Sequence, residues 1–132
     1  MTKKKISTDQ APKAIGPYSQ AVAAGGFLFV SGQIPMDPAT SEIVQGTAAG
    51  QMERVIQNVE VILSAAGGSL EDVVLATLYL KDMGQFDSVN KVYNKYFSSS
   101  LPARACVEVS ALPRGVEVEL QVVAFLGENV RA

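Results

Sequence analysis

Two segments of the chain repeat apolar residues with the period of an α-helix, and this repeat limits the possible folds more than any other feature. In residues 47–66 apolar side chains recur at helical spacing, and Gly67 follows where a left-handed residue can end a helix. In residues 86–97 the pattern returns, with Asn90 as the polar member of its stripe. A helix with one apolar face must bury that face against another layer, so both helices are expected to pack on a sheet.

Segments with the composition of β-strands surround the two predicted helices. They are residues 21–24, 27–31, 73–80, 101–109 and 116–125. Gly25 and Gly26 predict a tight hairpin, residues 31–35 predict the end of its second strand, and residues 73–80 predict a central strand buried on both faces. Lys3, Lys4 and Lys5 are interpreted as a solvated tail. We expect an α+β fold in which residues 1–132 form a single domain, with two helices on one face of a mixed, largely antiparallel sheet.

Composition and charge exclude several classes of protein. The net charge of −2 and the pI near 5.1 argue against a general nucleic-acid binder, which needs a basic face to neutralise phosphates. No run approaches the roughly 20 apolar residues that span a bilayer, so no membrane association is expected. The single cysteine in an apolar strand fits a reducing compartment, and a cytoplasmic location is the simplest expectation.

The chain contains no histidine, which removes the commonest general base near neutral pH and the commonest transition-metal ligand. A Ser-His-Asp or Cys-His nucleophilic site cannot be built from this chain, and no metal site is predicted. Neither a Walker A motif nor a Gly-x-Gly-x-x-Gly motif occurs. Any catalysis must therefore use arginine, carboxylates, tyrosine, lysine, backbone groups or water.

Arg104 is the most informative single residue, because it lies in a segment that otherwise has the pattern of a half-buried strand. Side chains alternate along a strand, so Arg104, Cys106 and Glu108 share one face. The planar guanidinium matches a carboxylate or a phosphate in two parallel hydrogen bonds, which suggests an anion clamp. The alternative is an exposed arginine on the wet face of the sheet, paired with Glu108 or Glu119.

The last predicted strand raises the same question. Glu117, Glu119 and Gln121 share one face, whereas the opposite face is apolar, and the helices can cover only the apolar face. Another subunit is expected to cover the polar face, and a wet sheet on a monomer is the alternative. In the second helix, Asn90 either bonds the backbone of a neighbouring loop or faces a pocket.

Five short motifs, in order and spread over nearly the whole chain, carry a resemblance to a known family. They are GPYSQA at residues 16–21, SGQIP at 31–35, the helix stripe of residues 86–97 around Asn90, PARACVEV at 102–109, and VEVE at 116–119. The chain resembles the RidA (YjgF) family of enamine and imine deaminases. The resemblance implies a chorismate-mutase-like fold and a homotrimer with clefts between subunits.

The resemblance also implies an activity that needs no cofactor. Members of the family hydrolyse reactive 2-enamino and 2-imino acids, such as 2-aminoacrylate, 2-iminopropanoate and 2-iminobutanoate, to 2-keto acids and ammonia. Arg104 would hold the substrate carboxylate, Glu119 would position water at the imine carbon, and Tyr18 would reach the cleft of a neighbouring subunit. The substrate-binding set implied by the resemblance is completed by Ser31, Gly32, Asn90 and Cys106.

Each implied role has a structural alternative. Ser31 and Gly32 fit a strand-ending turn, Tyr18 fits a packing aromatic, and Cys106 is expected to contribute backbone and bulk rather than a reactive thiolate. Ala105 stands where many relatives carry serine, which makes the substrate preference less secure than the reaction class.

Two further functions compete with hydrolysis. One is a regulatory protein that binds a 2-keto acid in the same cleft without turnover. The other is a translation inhibitor or endoribonuclease, which the acidic pI and the absence of histidine disfavour.

Overall fold

A computed structural model, which describes residues 2–131, contains one six-stranded sheet and two α-helices. The elements in chain order are β1 Lys4–Ile6, β2 Ala21–Ala24, β3 Phe27–Gln33, α1 Ala48–Ala65, β4 Val73–Leu80, α2 Phe86–Phe97, β5 Ala103–Glu108 and β6 Val118–Phe125. The strand order is β1-β2-β3-β6-β4-β5, and every neighbouring pair is antiparallel except β4 and β5. The predicted mixed, largely antiparallel sheet is confirmed.

Both helices pack on the same face of this sheet, as their periodicity predicts. The buried residues of α1 and α2 form one core with the inward side of β6, where Val118, Leu120 and Val122 are buried. Thr47 caps α1 by accepting a hydrogen bond from the Gly50 N–H, and burial of the apolar stripe supplies most of the stability of both helices. None of the helices in residues 2–131 is long and apolar enough to cross a membrane.

Three predictions about the strands need correction. The lysine-rich segment is not a tail, because residues Lys4–Ile6 form β1 along β2 and bury Ile6. The strand predicted over residues 27–31 is two residues longer, because β3 continues to Gln33 across a shift in register against β6, and it ends within the predicted segment 31–35. The strand β4 is central but is buried on one face only, because no element within residues 2–131 covers its other face.

The uncovered face of the sheet is rich in large apolar side chains. Phe27, Phe29, Leu75, Val107 and Phe125 lie on it with 39–49% of their surface exposed. Phe27 packs edge-on against Phe125 at a centroid distance of 5.0 Å. An apolar patch of this kind is typical of a surface that another protein covers, so the prediction of a second subunit on this face remains a prediction.

Candidate functional site

The structure places Arg104 on the helix side of the sheet, which corrects the expectation for its strand. β5 pairs with β4 so that Arg104 is opposite Ala76 and Cys106 is opposite Leu78, and both β4 residues are buried under the helices. Arg104, Cys106 and Glu108 therefore face α2, and Val107 faces the open side. Because β5 is the edge strand, its side chains are mostly exposed rather than half-buried.

A cage on α2 holds the Arg104 guanidinium. Its Nη1 donates a 2.6 Å hydrogen bond to Asn90 Oδ1. Its Cζ lies 4.7 Å from the centroid of the Tyr93 ring and 5.5 Å from that of Phe86, which are favourable distances for cation–π contacts. We call Phe86, Asn90, Tyr93 and Arg104 the Arg104 half-site.

The charge of Arg104 has no carboxylate partner among the residues that the structure describes. The one ion pair within residues 2–131 joins Lys95 to Glu53, so the alternative that Arg104 pairs with Glu108 or Glu119 is wrong for this chain by itself. Glu108 instead accepts a 2.7 Å hydrogen bond from the Met83 N–H. With one donor used by Asn90, most of the five guanidinium N–H groups are available for an anion.

A depression of about 380 Å³ borders the Arg104 half-site. Asn90, Tyr93, Leu101 and Arg104 are among the residues that line it. Asn90 therefore faces a pocket and bonds a side chain, which corrects the alternative of a loop-tying amide. The Tyr93 hydroxyl is buried without a hydrogen-bond partner in residues 2–131, and burial raises the pKa of this phenol although Arg104 opposes the shift.

A second group of predicted residues lies on the open face, where β6 passes β3. The Glu119 carboxylate lies directly against Gly32, so closely that a Cβ at Gly32 would overlap its Oε2. Tyr18 and Gly32 line one small depression, and Tyr18 and Ser31 line a larger one of about 630 Å³. We call Tyr18, Ser31, Gly32 and Glu119 the Glu119 half-site.

The hydrogen bonds of this second group define its chemistry. The Ser31 hydroxyl donates a 2.6 Å bond to the Ser19 carbonyl, so it can offer only its lone pairs to a ligand. The Tyr18 hydroxyl accepts a 3.4 Å bond from the Ile15 N–H, which leaves its own proton to donate. Partial burial raises the pKa of the Glu119 carboxyl above its ordinary value, and a carboxylate with a raised pKa is a better proton acceptor.

Cys106 points toward the core beneath β5. Burial raises the pKa of its thiol, and the opposing effect of nearby Arg104 is the smaller of the two. The thiol is therefore protonated near neutral pH, as expected from the sequence, although a cation lies closer to it than was expected.

The two half-sites do not meet within one chain. Arg104 on β5 is opposite Ala76 on β4, which is in turn opposite Val122 on β6. Val122 is three residues from Glu119, so the Cα atoms of Arg104 and Glu119 are two strands apart and separated by about 14 Å. Their side chains also lie on opposite faces of the sheet, Arg104 toward the helices and Glu119 on the open side.

The sequence interpretation missed the aromatic part of the cage. Phe86 and Tyr93 were interpreted only as members of the apolar stripe of α2. Their spacing contained the signal, because residues 86, 90 and 93 fall on one side of a helix and Asn90 was already the polar exception there. The close approach of Gly32 to Glu119 had no signal in local sequence, because it depends on how β3 and β6 pair.

Comparisons with known proteins show the family to which the chain belongs. The family model described as endoribonuclease L-PSP matches residues 8–126, which include all seven predicted site residues. A RutC family protein of Pyrococcus abyssi is 54% identical over 125 residues, which is 95% of this chain and 98% of that protein.

Two further matches connect the chain to named proteins. A mouse protein named 2-iminobutanoate/2-iminopropanoate deaminase is 44% identical over 130 residues, 98% of this chain and 96% of that one. The crystal structure of RidA from the Antarctic bacterium Psychrobacter superimposes with a TM-score of 0.89 at 43% identity, covering 92% of this chain and 98% of that chain.

Proposed function

The chain belongs to the Ribonuc_L-PSP family, which includes the RidA and YjgF proteins, and from that premise we propose that it hydrolyses 2-imino acids and their enamine tautomers to 2-keto acids and ammonia. The observation that carries the proposal is the Arg104 half-site, where a guanidinium is held in position but has no anionic partner in residues 2–131. The mouse relative named as a deaminase supports the same reaction class.

The proposed reaction divides its work between the two half-sites. The Arg104 fork binds the substrate carboxylate through two parallel hydrogen bonds, which fixes the imine carbon in space. Glu119 accepts a proton from water as the water oxygen bonds to that carbon, and the imine nitrogen takes up a proton from solvent to give the carbinolamine. Glu119 then returns its proton to the amine nitrogen, the C–N bond breaks to release ammonia, and loss of the hydroxyl proton to solvent leaves the 2-keto acid. The reaction as written needs no cofactor.

The other predicted residues act as ligands or as support. Tyr18 donates its free hydroxyl proton toward the substrate, and Ser31 and Gly32 border the place where water would lie beside Glu119. Asn90 orients Arg104 by accepting from its Nη1. Cys106 contributes backbone and bulk below the clamp.

Because the half-sites lie on opposite faces of one sheet, we propose that the complete site forms between two copies of the chain. In a homotrimer, three clefts would each combine the Arg104 half-site of one subunit with the Glu119 half-site of the next. The exposed apolar side chains of the open face support this assembly, since burial between subunits would remove them from water.

A subunit-mixing experiment tests both the reaction and the shared site. Arg104→Ala and Glu119→Gln chains are co-expressed with different tags, and oligomers that carry both tags are purified. Threonine dehydratase with threonine supplies 2-iminobutanoate, and the appearance of 2-ketobutyrate is followed with and without added protein. Each variant alone is expected to be inactive, whereas a mixed trimer contains one intact cleft and recovers about one third of the wild-type rate. Arg104→Ala co-expressed with itself under both tags is the control.

The outcomes separate the competing functions. Recovery in mixed trimers supports a site built from two subunits, and mixed trimers as inactive as their parents would place the site elsewhere. If folded wild-type protein does not accelerate the formation of 2-ketobutyrate but binds 2-ketobutyrate in calorimetry, the chain is a keto-acid-binding protein. If purified protein instead cleaves RNA and loses that activity with Arg104→Ala, the name of the family model describes its function.

A further inference from the structure

Two aliphatic side chains are far more exposed than the other large apolar residues of the described chain. Ile15 and Leu101 each expose 76% of their surface, whereas the next most exposed, Tyr18, exposes 52%. Exposure of single apolar residues is common, but the positions of these two are not scattered. Leu101 lies at the Arg104 half-site, and Ile15 lies at the Glu119 half-site.

The backbone of Leu101 is held in a conformation that its side chain disfavours. Its φ is +46°, in the left-handed region where glycine and asparagine are the usual residues. The next residue is Pro102, which restricts the preceding backbone further. The Leu101 N–H donates a 3.0 Å bond to the Phe97 carbonyl, so the end of α2 helps to fix this conformation. Strain of this kind in an exposed residue points to a role for its position.

That position is a wall of the depression beside the clamp. Leu101 and Pro102 line it together with Asn90, Tyr93 and Arg104. A substrate whose carboxylate is held by Arg104 would therefore have its other atoms within reach of an apolar surface.

Ile15 has the matching place on the other half-site. Its N–H donates to the Tyr18 hydroxyl at 3.4 Å, and its side chain lines the depression that Tyr18 and Gly32 also line. Both depressions thus combine polar groups suited to the reacting end of the substrate with one strongly exposed aliphatic side chain.

We infer that Leu101 of one subunit and Ile15 of the next form the two apolar walls that receive the substrate side chain, so that these two residues determine how strongly the protein discriminates between 2-imino acids with different side chains. The inference rests on the proposed function. Leu101 and Ile15 act by contacting the side chain of the substrate, whereas Arg104 contacts its carboxylate and Glu119 its reacting carbon.

The test compares substrates that differ only in the side chain. An L-amino-acid oxidase generates imino acids from alanine, 2-aminobutyrate, leucine and glutamine, and kcat/KM is measured for each. The ratio compared is kcat/KM for the leucine-derived imine divided by kcat/KM for the alanine-derived imine. Leu101→Ala is expected to lower this ratio by about 10-fold, and Ile15→Ala by a similar factor. Leu101→Asn suits the left-handed backbone and keeps the size of the side chain but makes it polar, so it should shift preference toward the glutamine-derived imine. Val74→Ala, at an exposed apolar residue outside both half-sites, should leave every ratio unchanged.

Size-exclusion chromatography of each variant distinguishes substrate contact from subunit contact. If Leu101→Ala dissociates the oligomer and lowers kcat/KM equally for all four imines, Leu101 is an assembly residue and the inference is wrong. Unchanged ratios in Leu101→Ala and Ile15→Ala would also overturn it. If wild-type protein hydrolyses none of the four imines, the proposed function itself fails, which is a different result from hydrolysis without side-chain preference.

Discussion

Replacing Gly32 by alanine tests the contact that positions Glu119. Gly32 does not have a φ in the left-handed region, so an alanine there suffers no backbone strain and changes only the space above its Cα. That space is filled by Glu119, because an added Cβ would lie 3.0 Å from Cδ, 3.3 Å from Cγ and closer still to Oε2. To regain ordinary contact distances the carboxylate must move by about 1 Å or more.

The expected effect on activity is large and the effect on stability is small. A displacement of about 1 Å in a reacting group costs about 100-fold in rate, so kcat/KM for 2-iminobutanoate should fall by that factor. The Glu119 side chain is only partly buried and can swing toward the open face. Its relocation should therefore lower the free energy of unfolding by about 1 kcal/mol, which is at the low end for overpacking, and lower the Tm by about 4 °C.

The assay is the dehydratase-coupled formation of 2-ketobutyrate, with thermal unfolding measured on the same samples. Gly50→Ala is the matched control, because it adds the same methyl group within α1, where its Cβ meets only the Thr47 side chain. In a Glu119→Ala background the Gly32→Ala change should have no further effect on activity, since the group it displaces is gone. A Gly32→Ala protein with wild-type kcat/KM, or a 100-fold loss that persists in the Glu119→Ala background, would refute the reasoning.

Three other substitutions probe separate parts of the structure. Asn90→Ala removes the acceptor that orients Arg104 and should raise KM about 10-fold with a smaller effect on kcat, as measured by steady-state kinetics. The raised pKa of Glu119 means that the native protein binds a proton at this carboxyl more tightly than the unfolded chain does. The stability of wild type relative to Glu119→Gln should therefore be greatest below the unfolded pKa of about 4.3 and decline as pH rises through the folded pKa. Thermal unfolding of both proteins from pH 4 to 8 measures this difference. Asn58 is fully buried and donates to the Ile34 and Met36 carbonyls at 3.1 and 3.0 Å, so Asn58→Leu should destabilise the protein by about 2–3 kcal/mol in urea unfolding.

The helices and the hairpin could be predicted because their signals are local. The stripe in residues 47–66 spans five turns, Thr47 supplies the cap, and Gly67 has the left-handed φ of +93° that a helix stop requires. Gly25 and Gly26 likewise adopt positive φ values in the turn between β2 and β3. At each of these places the residues that specify the structure are neighbours in sequence.

The face to which Arg104 points could not be predicted in the same way. Alternation in residues 101–109 shows that Arg104 and Cys106 share a face, but it does not show which face the helices cover. That depends on the parallel pairing of β5 with β4, which brings Arg104 opposite buried Ala76. The alternating polar residues of β5 and β6 are equivalent as sequence patterns. They lie on opposite sides of the sheet because of how each strand pairs with β4.

The separation of Arg104 from Glu119 has a consequence for how the clamp keeps its charge. Had the two side chains shared a face, the Glu119 carboxylate would lie in the field of the Arg104 guanidinium and weaken its attraction for an anionic substrate, although a Cα separation of about 14 Å is too long for a direct ion pair. The fold prevents this within a chain, because the sheet itself lies between them, and the α2 cage supplies Arg104 with two aromatic rings and a neutral amide instead of a carboxylate. In a cleft between subunits, the substrate carboxylate can therefore bind Arg104 while Glu119 stays on the other wall, available to water.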